Sequence, residues 1–279
     1  MGIKNKKLEH NYFHCYATAN DHSLYFQDLQ NLIRIKNCDS GYRKIQLFIA
    51  ISEVKTVGLL DRLFMKMIKK MFHNHPSIAL KEVAFKNNIG RDFSSFESLF
   101  LKVKQIAHSD DYIFFQNRSG HGPFRKHWYT EFVKQFEKFE SIAICGSTIN
   151  FMDHPNRSLS ENVPHVQTYS FLTKVFYINM LNDNFPGSKE TIKFNIICKG
   201  EIAFSQFFLE KKYKITCIEW PNEVISNQSE AIMTSDIKKN VTAKHYFYHR
   251  KYLRKNINAI INRNLNGTII WTKFLLKNL

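Results

Sequence analysis

At 279 residues, with 14% aromatic side chains that include 25 Phe, the chain is long enough to bury one sizeable core and too apolar for a disordered protein. Forty Lys or Arg against 24 Asp or Glu leave a net charge of +16, which implies a polyanionic neighbour: nucleic acid, an anionic membrane surface or a phosphate-bearing small molecule. Five scattered cysteines without a CxxC pair argue against a disulfide framework and a zinc site, and no apolar run suits a secretory signal or approaches the ~20 residues of a membrane span, so the protein reads as cytoplasmic.

In chain order, residues 12–17 form a strand pattern leading into Thr18-Ala-Asn-Asp-His22, and Leu24, Phe26, Leu29, Leu32 and Ile33 follow at helical spacing. Residues 44–52 read as the next strand, and 59–72 as an amphipathic helix with Lys66, Lys69 and Lys70 outside. A third strand over 80–85 ends in the turn Asn87-Asn88-Ile89-Gly90-Arg91-Asp92, after which Phe93, Phe96, Phe100 and Val103 carry a helix over 93–107. Residues 112–115 are a buried strand that ends in a second polar turn, Gln116-Asn117-Arg118-Ser119-Gly120-His121-Gly122-Pro123. Strands alternating with helices imply a mainly parallel sheet with right-handed crossovers. Both polar turns fall at carboxyl ends of strands, where open α/β sheets bind ligands. Their residues suit a nucleotide: Gly90 permits close backbone approach, a helix N-terminus favours phosphate, and Arg91 and Arg118 supply charge. Turns also contain Gly, Asn and Asp for conformational reasons alone, so the pattern by itself leaves both readings open.

Beyond Pro123, residues 128–139 read as a helix, 141–146 as a strand, 148–164 as a long polar loop, 166–173 as a β-rich segment, and 174–181 as helical. A loop over 182–189 follows, Gly200-Glu201 opens a helix over 202–211, and 213–219 is a strand. From Asp236 onward there are ten Lys or Arg against one acid. Tyr246, Phe247, Leu253, Ile257, Ile260 and Ile261 lie there at helical spacing among Arg250, Lys251, Arg254 and Lys255. Such a basic amphipathic helix can lie on an anionic membrane or pack its apolar face on the main domain. The expected division is a sheet domain over 1–225 and a basic helical tail over 226–279.

The order of strands and motifs resembles the nucleotide-sugar-binding fold of GT-A glycosyltransferases. The turn Asn88-x-Gly90-Arg91-Asp92 with its aromatic helix is similar to that of rhamnan synthesis F-type and related bacterial polysaccharide glycosyltransferases, as are Tyr112-Ile-Phe-Phe-Gln-Asn117, Ser119-x-x-Gly122-Pro123-Phe124, Trp128, Gly146-Ser147-Thr148-Ile149-Asn150 and Pro164-His165-Val166-Gln167. The resemblance covers residues 10–225 and implies a Rossmann-like GT-A domain that takes a nucleotide-sugar donor, UDP-linked, and a glycan or lipid-linked acceptor at the inner face of the cytoplasmic membrane.

By this resemblance Thr18 and Asp21 match where nucleobase and ribose are held, and Asn88, Arg91 and Asp92 match the turn that closes on the nucleotide. Asn117 and Ser119 stand where many GT-A enzymes carry Asp-x-Asp for a divalent metal, and that motif is missing here. Metal ions bridging phosphates want carboxylate oxygens, so no metal ligand is assigned. Metal dependence is left open by this departure, and without a divalent metal the leaving-group charge would be offset by Arg118, Arg91, Lys126 or His121. Asp110 and Asp111 precede their strand and belong to the opposite edge. Glu201 is similar to the acidic residue opening a late helix and is the candidate general base; the same acid would complement a helix dipole without any catalytic role. Trp128, Asn150, His165 and Gln167 are candidates for binding sugar, Trp128 being equally an ordinary core residue, and Asp153 and His154 lie in the long loop. The competing readings are a nucleic-acid-binding protein, which lacks a recognisable signature, and a catalytically inactive scaffold of a glycan-assembly complex.

Overall fold

The computed structural model describes residues 10–227 and 245–249. In chain order its elements are β1 (Tyr12–Ala19), α1 (Tyr25–Asn37), β2 (Ile45–Glu53), α2 (Leu59–Phe72), β3 (Ile78–Asn87), α3 (Arg91–Val103), β4 (Tyr112–Asn117), β5 (Gly120–His121) and α4 (Trp128–Glu137). There follow β6 (Ile142–Gly146), β7 (Ile149–Asn150), β8 (His165–Val166), β9 (Ser170–Lys174), α5 (Val175–Asn179), α6 (Lys193–Ile196), α7 (Ala203–Glu210), β10 (Lys214–Cys217), β11 (Val224–Ile225) and β12 (Tyr248–His249).

Eight strands form one sheet in the order β11-β10-β6-β9-β4-β1-β2-β3. The pairs β1–β2, β2–β3, β1–β4 and β6–β10 are parallel, while β9 runs antiparallel between β4 and β6 and β11 antiparallel on β10. This is the expected Rossmann-like, mainly parallel sheet flanked by helices. Alternation decides which layer each side chain enters. From β1 and β2, Phe13, Cys15, Ala17, Phe48 and Ala50 face a core with α3, whereas Tyr16, Leu47, Ile49 and Ile51 pack under α1 and α2. Phe114 of β4 packs with α4 in a third cluster that includes Trp128 and Phe132. Helix α2 matches its sequence pattern end to end, because Phe64, Met67, Ile68 and Met71 recur on one face and the buried Asp61 carboxylate accepts the Gly58 N–H at 2.6 Å. All five cysteines are free thiols, and among the described residues no helix is long and apolar enough to cross a membrane.

Two expectations require correction. Glu201 does not open a helix: α6 runs through a π-helical segment, Ile197–Ile202, into α7, and Glu201 lies inside that segment. Gly200 had suggested a start, but its missing side chain serves packing; a Cβ there would fall 2.8 Å from the Phe93 ring. Nor is residue 245–249 helical. Tyr248 and His249 pair antiparallel with His121 and Gly120, and Phe247 is fully buried beside Trp128, Phe114 and Phe132. A two-residue pairing and burial in an existing aromatic cluster override the helical spacing of the sequence. The rest of the expected tail helix lies outside the described residues.

Candidate active site

Strands β1 and β4 run side by side, so Thr18 and Asn117 emerge together at the carboxyl edge of the sheet. Immediately beyond β4, the Arg118 guanidinium turns back under the edge. Its Nε donates to both Asp28 oxygens at 3.1 and 3.0 Å, and Nη2 donates to Asp28 Oδ2 at 2.6 Å, to Thr18 Oγ1 at 2.9 Å and to the Ala19 carbonyl. Asp28 also accepts from Tyr16 Oη at 2.9 Å, and Gln27 donates to the Arg118 carbonyl at 2.9 Å. A neighbour anion so completely engaged makes Arg118 a positioning residue that laces the second turn to α1, not the free phosphate cation its sequence position suggested. His121 is likewise buried, in β5, and does not offer the exposed charge considered for it; Lys126 is exposed.

Asp92, in the first turn of α3, reaches Asn117: the amide Nδ2 donates to its carboxylate at 2.8 Å, while Asn117 Oδ1 accepts the Ser119 N–H at 2.8 Å. Burial pushes the Asp92 carboxyl up, against the opposing pull of Arg118, the Asn117 amide, Arg91 and Lys86. Asp21 is half exposed, 4.0 Å from Arg118 Nη1, and the Ser23 hydroxyl it accepts from holds its carboxyl below the ordinary range. Asn88 and Arg91 are exposed, Arg91 at a φ of +47°.

Lys86, which the sequence reading passed over, closes this cluster from β3. Its Nζ donates to Ser94 Oγ at 2.6 Å, and to Ser52 Oγ and the Ile89 carbonyl at 3.3 Å each. Burial lowers its pKa to about 8, against the pull of Asp92 and Glu97. The available signal was period two along β3, which puts Lys86 in the row of Ala84 rather than on the opposite face with Phe85.

Gly90 has a different job from the one its motif suggested. Its N–H donates to the Glu190 carbonyl at 2.9 Å, and its φ is +71°. A Cβ would lie 1.9 Å from the Ser188 carbonyl oxygen, so the close backbone approach is to the 182–189 loop and not to a phosphate. Gly90→Ala should therefore lose at least the ~1–2 kcal/mol of a left-handed residue carrying a side chain, read by urea unfolding. An unchanged midpoint would refute this packing.

A second polar cluster adjoins the first. The Tyr169 carbonyl accepts the Asn117 N–H at 3.1 Å, and the preceding Thr168 hydroxyl reaches Glu201 Oε2 at 3.5 Å. Thr148 donates to Gln167 Oε1 at 2.8 Å and the Ser147 and Ser170 hydroxyls meet at 2.5 Å. Glu201 is thus joined through Thr168 and Tyr169 to the Asn117–Asp92 pair. Asn150 stands partly buried in β7, its side chain accepting the Met152 N–H at 3.1 Å.

Two of the expected sugar-binding residues are not available to a sugar. Trp128 is fully buried and stacked edge-on with Phe114 and Phe247, having followed its apolar helix face into the core. His165 is 2% exposed with Nδ1 on the Val163 carbonyl at 2.7 Å, and burial lowers its pKa. Asp153 is committed to Arg157 and Ser158, and Asp111 to Asn11 at the opposite edge. Among the described residues no group of three or more His, Cys, Asp or Glu could hold a metal ion.

Glu219, just past β10, was also missed. Its N–H donates to the Ser147 carbonyl at 3.2 Å, placing it at the same sheet edge. Burial raises its pKa from the ordinary 4.5 to about 7. A folded value above the unfolded one means that folding favours the protonated carboxyl. Its contribution to stability is complete below the unfolded value of 4.5 and lost as pH rises through about 7. Stability curves of wild type and Glu219→Gln should converge or cross over that window as pH rises, with wild type losing ground; parallel curves would contradict the burial argument.

No protein-family model matches this chain, and no curated protein matches it. Among solved structures it is similar to the mannosyltransferase PcManGT from Pyrobaculum calidifontis in complex with GDP-Man and Mn2+, at 11% identity and TM-score 0.45, covering 75% of this chain and 55% of that one. It is similar also to the bifunctional glycosyltransferase WbbM, at 9% identity and TM-score 0.43 over 78% of this chain and 40% of that one. For mouse xyloside xylosyltransferase 1 the values are 11% and 0.44, over 86% and 97%. The chain spans about half the length of the first two. At TM-scores below 0.5 these likenesses carry no argument about chemistry, which rests on the residues above.

Proposed function

We infer that this protein is a glycosyltransferase that moves a sugar from a nucleotide-sugar donor, UDP-linked, to a surface polysaccharide or lipid-linked glycan acceptor such as O-antigen, capsule or lipooligosaccharide. One observation carries the reading: a charged cluster of Arg91, Lys86, Asp92 and Asn117 and a polar cluster that includes Thr168 and the Glu201 carboxylate adjoin at the carboxyl edge of the sheet, through Asn117 and Tyr169. The motif resemblance over residues 10–225 supports it.

Thr18 and Asp21 would border the nucleoside, with the half-exposed Asp21 carboxylate accepting from ribose hydroxyls. Arg91, Lys86 and Asn88 would face the diphosphate, Asp92, Asn117 and Ser119 the donor sugar, and Asn150, Gln167 and Thr168 the acceptor. Arg118 acts on this site by holding Thr18 and the 118–120 backbone in place. In the transfer, the acceptor hydroxyl oxygen bonds to the anomeric carbon while the bond from that carbon to the diphosphate oxygen breaks, its electron pair leaving with the nucleoside diphosphate. The hydroxyl proton passes to the Glu201 carboxylate, and the leaving charge is met by Arg91 and Lys86. No step is routed through a metal ion.

The test is thermal unfolding with nucleoside diphosphates and nucleotide sugars, with and without Mn²⁺. A donor bound only by the folded state adds ~2.7 kcal/mol at a hundredfold excess over its Kd, so one nucleotide class should raise the transition selectively. No response to any of them would sink the reading in favour of an inactive scaffold.

A further inference from the structure

The outer face of α2 carries a charge pattern that neither the core nor the candidate site uses. The inner face is committed to the core by Phe64, Met67, Ile68 and Met71. At 3.6 residues per turn the exposed Arg62, Lys66, Lys69 and Lys70 fall with Leu59 in one arc of roughly 100°. The helix contains a single acid, Asp61, which is fully buried and bonded to Gly58, His22 and Tyr25. The outer stripe is therefore cationic without a compensating carboxylate from its own helix. Its first residues are large and apolar: Leu59 is 73% exposed and Leu60 49%. Val54 and Ile89, each 48% exposed, extend beyond the adjacent strand ends Glu53 and Asn87, which are paired in the sheet. A stretch of exposed aliphatic side chains thus sits at the carboxyl edge, where the candidate site lies, and continues into a line of cations.

We propose that this face docks on an anionic lipid bilayer, with Leu59, Leu60 and Val54 entering the interfacial layer and Arg62, Lys66, Lys69 and Lys70 meeting lipid phosphates. Aliphatic insertion beside a cationic stripe is the chemistry of an interfacial helix. Nucleic acid would engage the cations and leave Leu59 and Leu60 in water, so the aliphatic end selects lipid. These residues are other than the basic ones beyond 236, and their docking does not depend on what the candidate site transfers. It sets the carboxyl edge near the bilayer.

The test is co-sedimentation of the full chain with phosphatidylglycerol–phosphatidylcholine vesicles and with phosphatidylcholine alone. Each well-placed cation contributes about fivefold in partitioning, so Lys66→Glu/Lys69→Glu/Lys70→Glu should lower binding to the anionic vesicles by at least about a hundredfold, and Leu59→Ser/Leu60→Ser should lower it while keeping the charge. All substituted positions are exposed, and an unchanged far-ultraviolet circular dichroism spectrum and melting transition would show both variants folded. Full retention of vesicle binding by the triple variant, with binding left entirely to the rest of the chain, would overturn the proposal. So would an unaltered Leu59→Ser/Leu60→Ser variant combined with tighter binding to an oligonucleotide that the triple variant loses.

Discussion

Glu201→Gln should slow sugar transfer by ~10²–10⁴, the range a positioned general base supplies, while donor-induced stabilisation stays at the wild-type level. The exchange keeps the volume and the Thr168 contact and removes only the ability to take a proton. The π-helical segment around Glu201 is held from beneath, since Gly200 packs on Phe93 and lies against Gly187, so the amide should occupy the same place. Glu219 supplies the contrast. With a pKa of about 7, it would imprint a limb near neutrality on the rate if it were the base, and Glu219→Gln would abolish that limb. A Glu201→Gln enzyme at full rate, with the limb lost in Glu219→Gln, would transfer the proton-accepting role to Glu219.

The second large effect is expected away from any reacting atom. Asp28→Ala should cost about 3–5 kcal/mol by chemical denaturation, the usual loss when one member of a buried ion pair is removed. Asp28 is fully buried, and its carboxylate takes three Arg118 hydrogen bonds and one from Tyr16. Without it the guanidinium keeps the Thr18 hydroxyl and the Ala19 carbonyl as hydrogen-bond acceptors and the half-exposed Asp21 carboxylate at 4.0 Å. The loss should shrink when both ends go together, as in Asp28→Leu/Arg118→Met, because the penalty is the unpaired charge rather than the missing bond. A single Asp28→Ala variant within ~0.5 kcal/mol of wild type would mean that Arg118 escapes to solvent, and it would then be free for phosphate after all.

Much of the framework was legible from residues alone. Short apolar runs in β1, β2 and β4, a 3.6 period in α2 and α3, and polar turns after β3 and β4 are local signals, because a strand buried on both faces reads as a continuous apolar run and a helix buried on one face repeats at its own turn. The placement of the candidate site at the carboxyl edge follows from the same signals. Asp92 and Asn117, from two turns far apart in sequence, do meet there.

Only the tertiary structure decided what each polar or aromatic side chain does. Arg118 reads as a phosphate cation until Asp28, ninety residues earlier, is seen to occupy it. Gly90 reads as a phosphate cradle until the Ser188 and Glu190 main chain is found in that space. Trp128 and His165 suit a sugar by type, yet both are enclosed by segments remote in the chain. Phe247 left its helical pattern for the aromatic cluster beside β4. Alternation along β3 gives the face of Lys86 but not its partners, and nothing beside Glu219 marks it; burial at the sheet edge shifts the protonation of both. Periodicity is a property of adjacent residues and the sequence carries it in full, whereas desolvation and pairing are set by groups that only folding brings within a few ångströms.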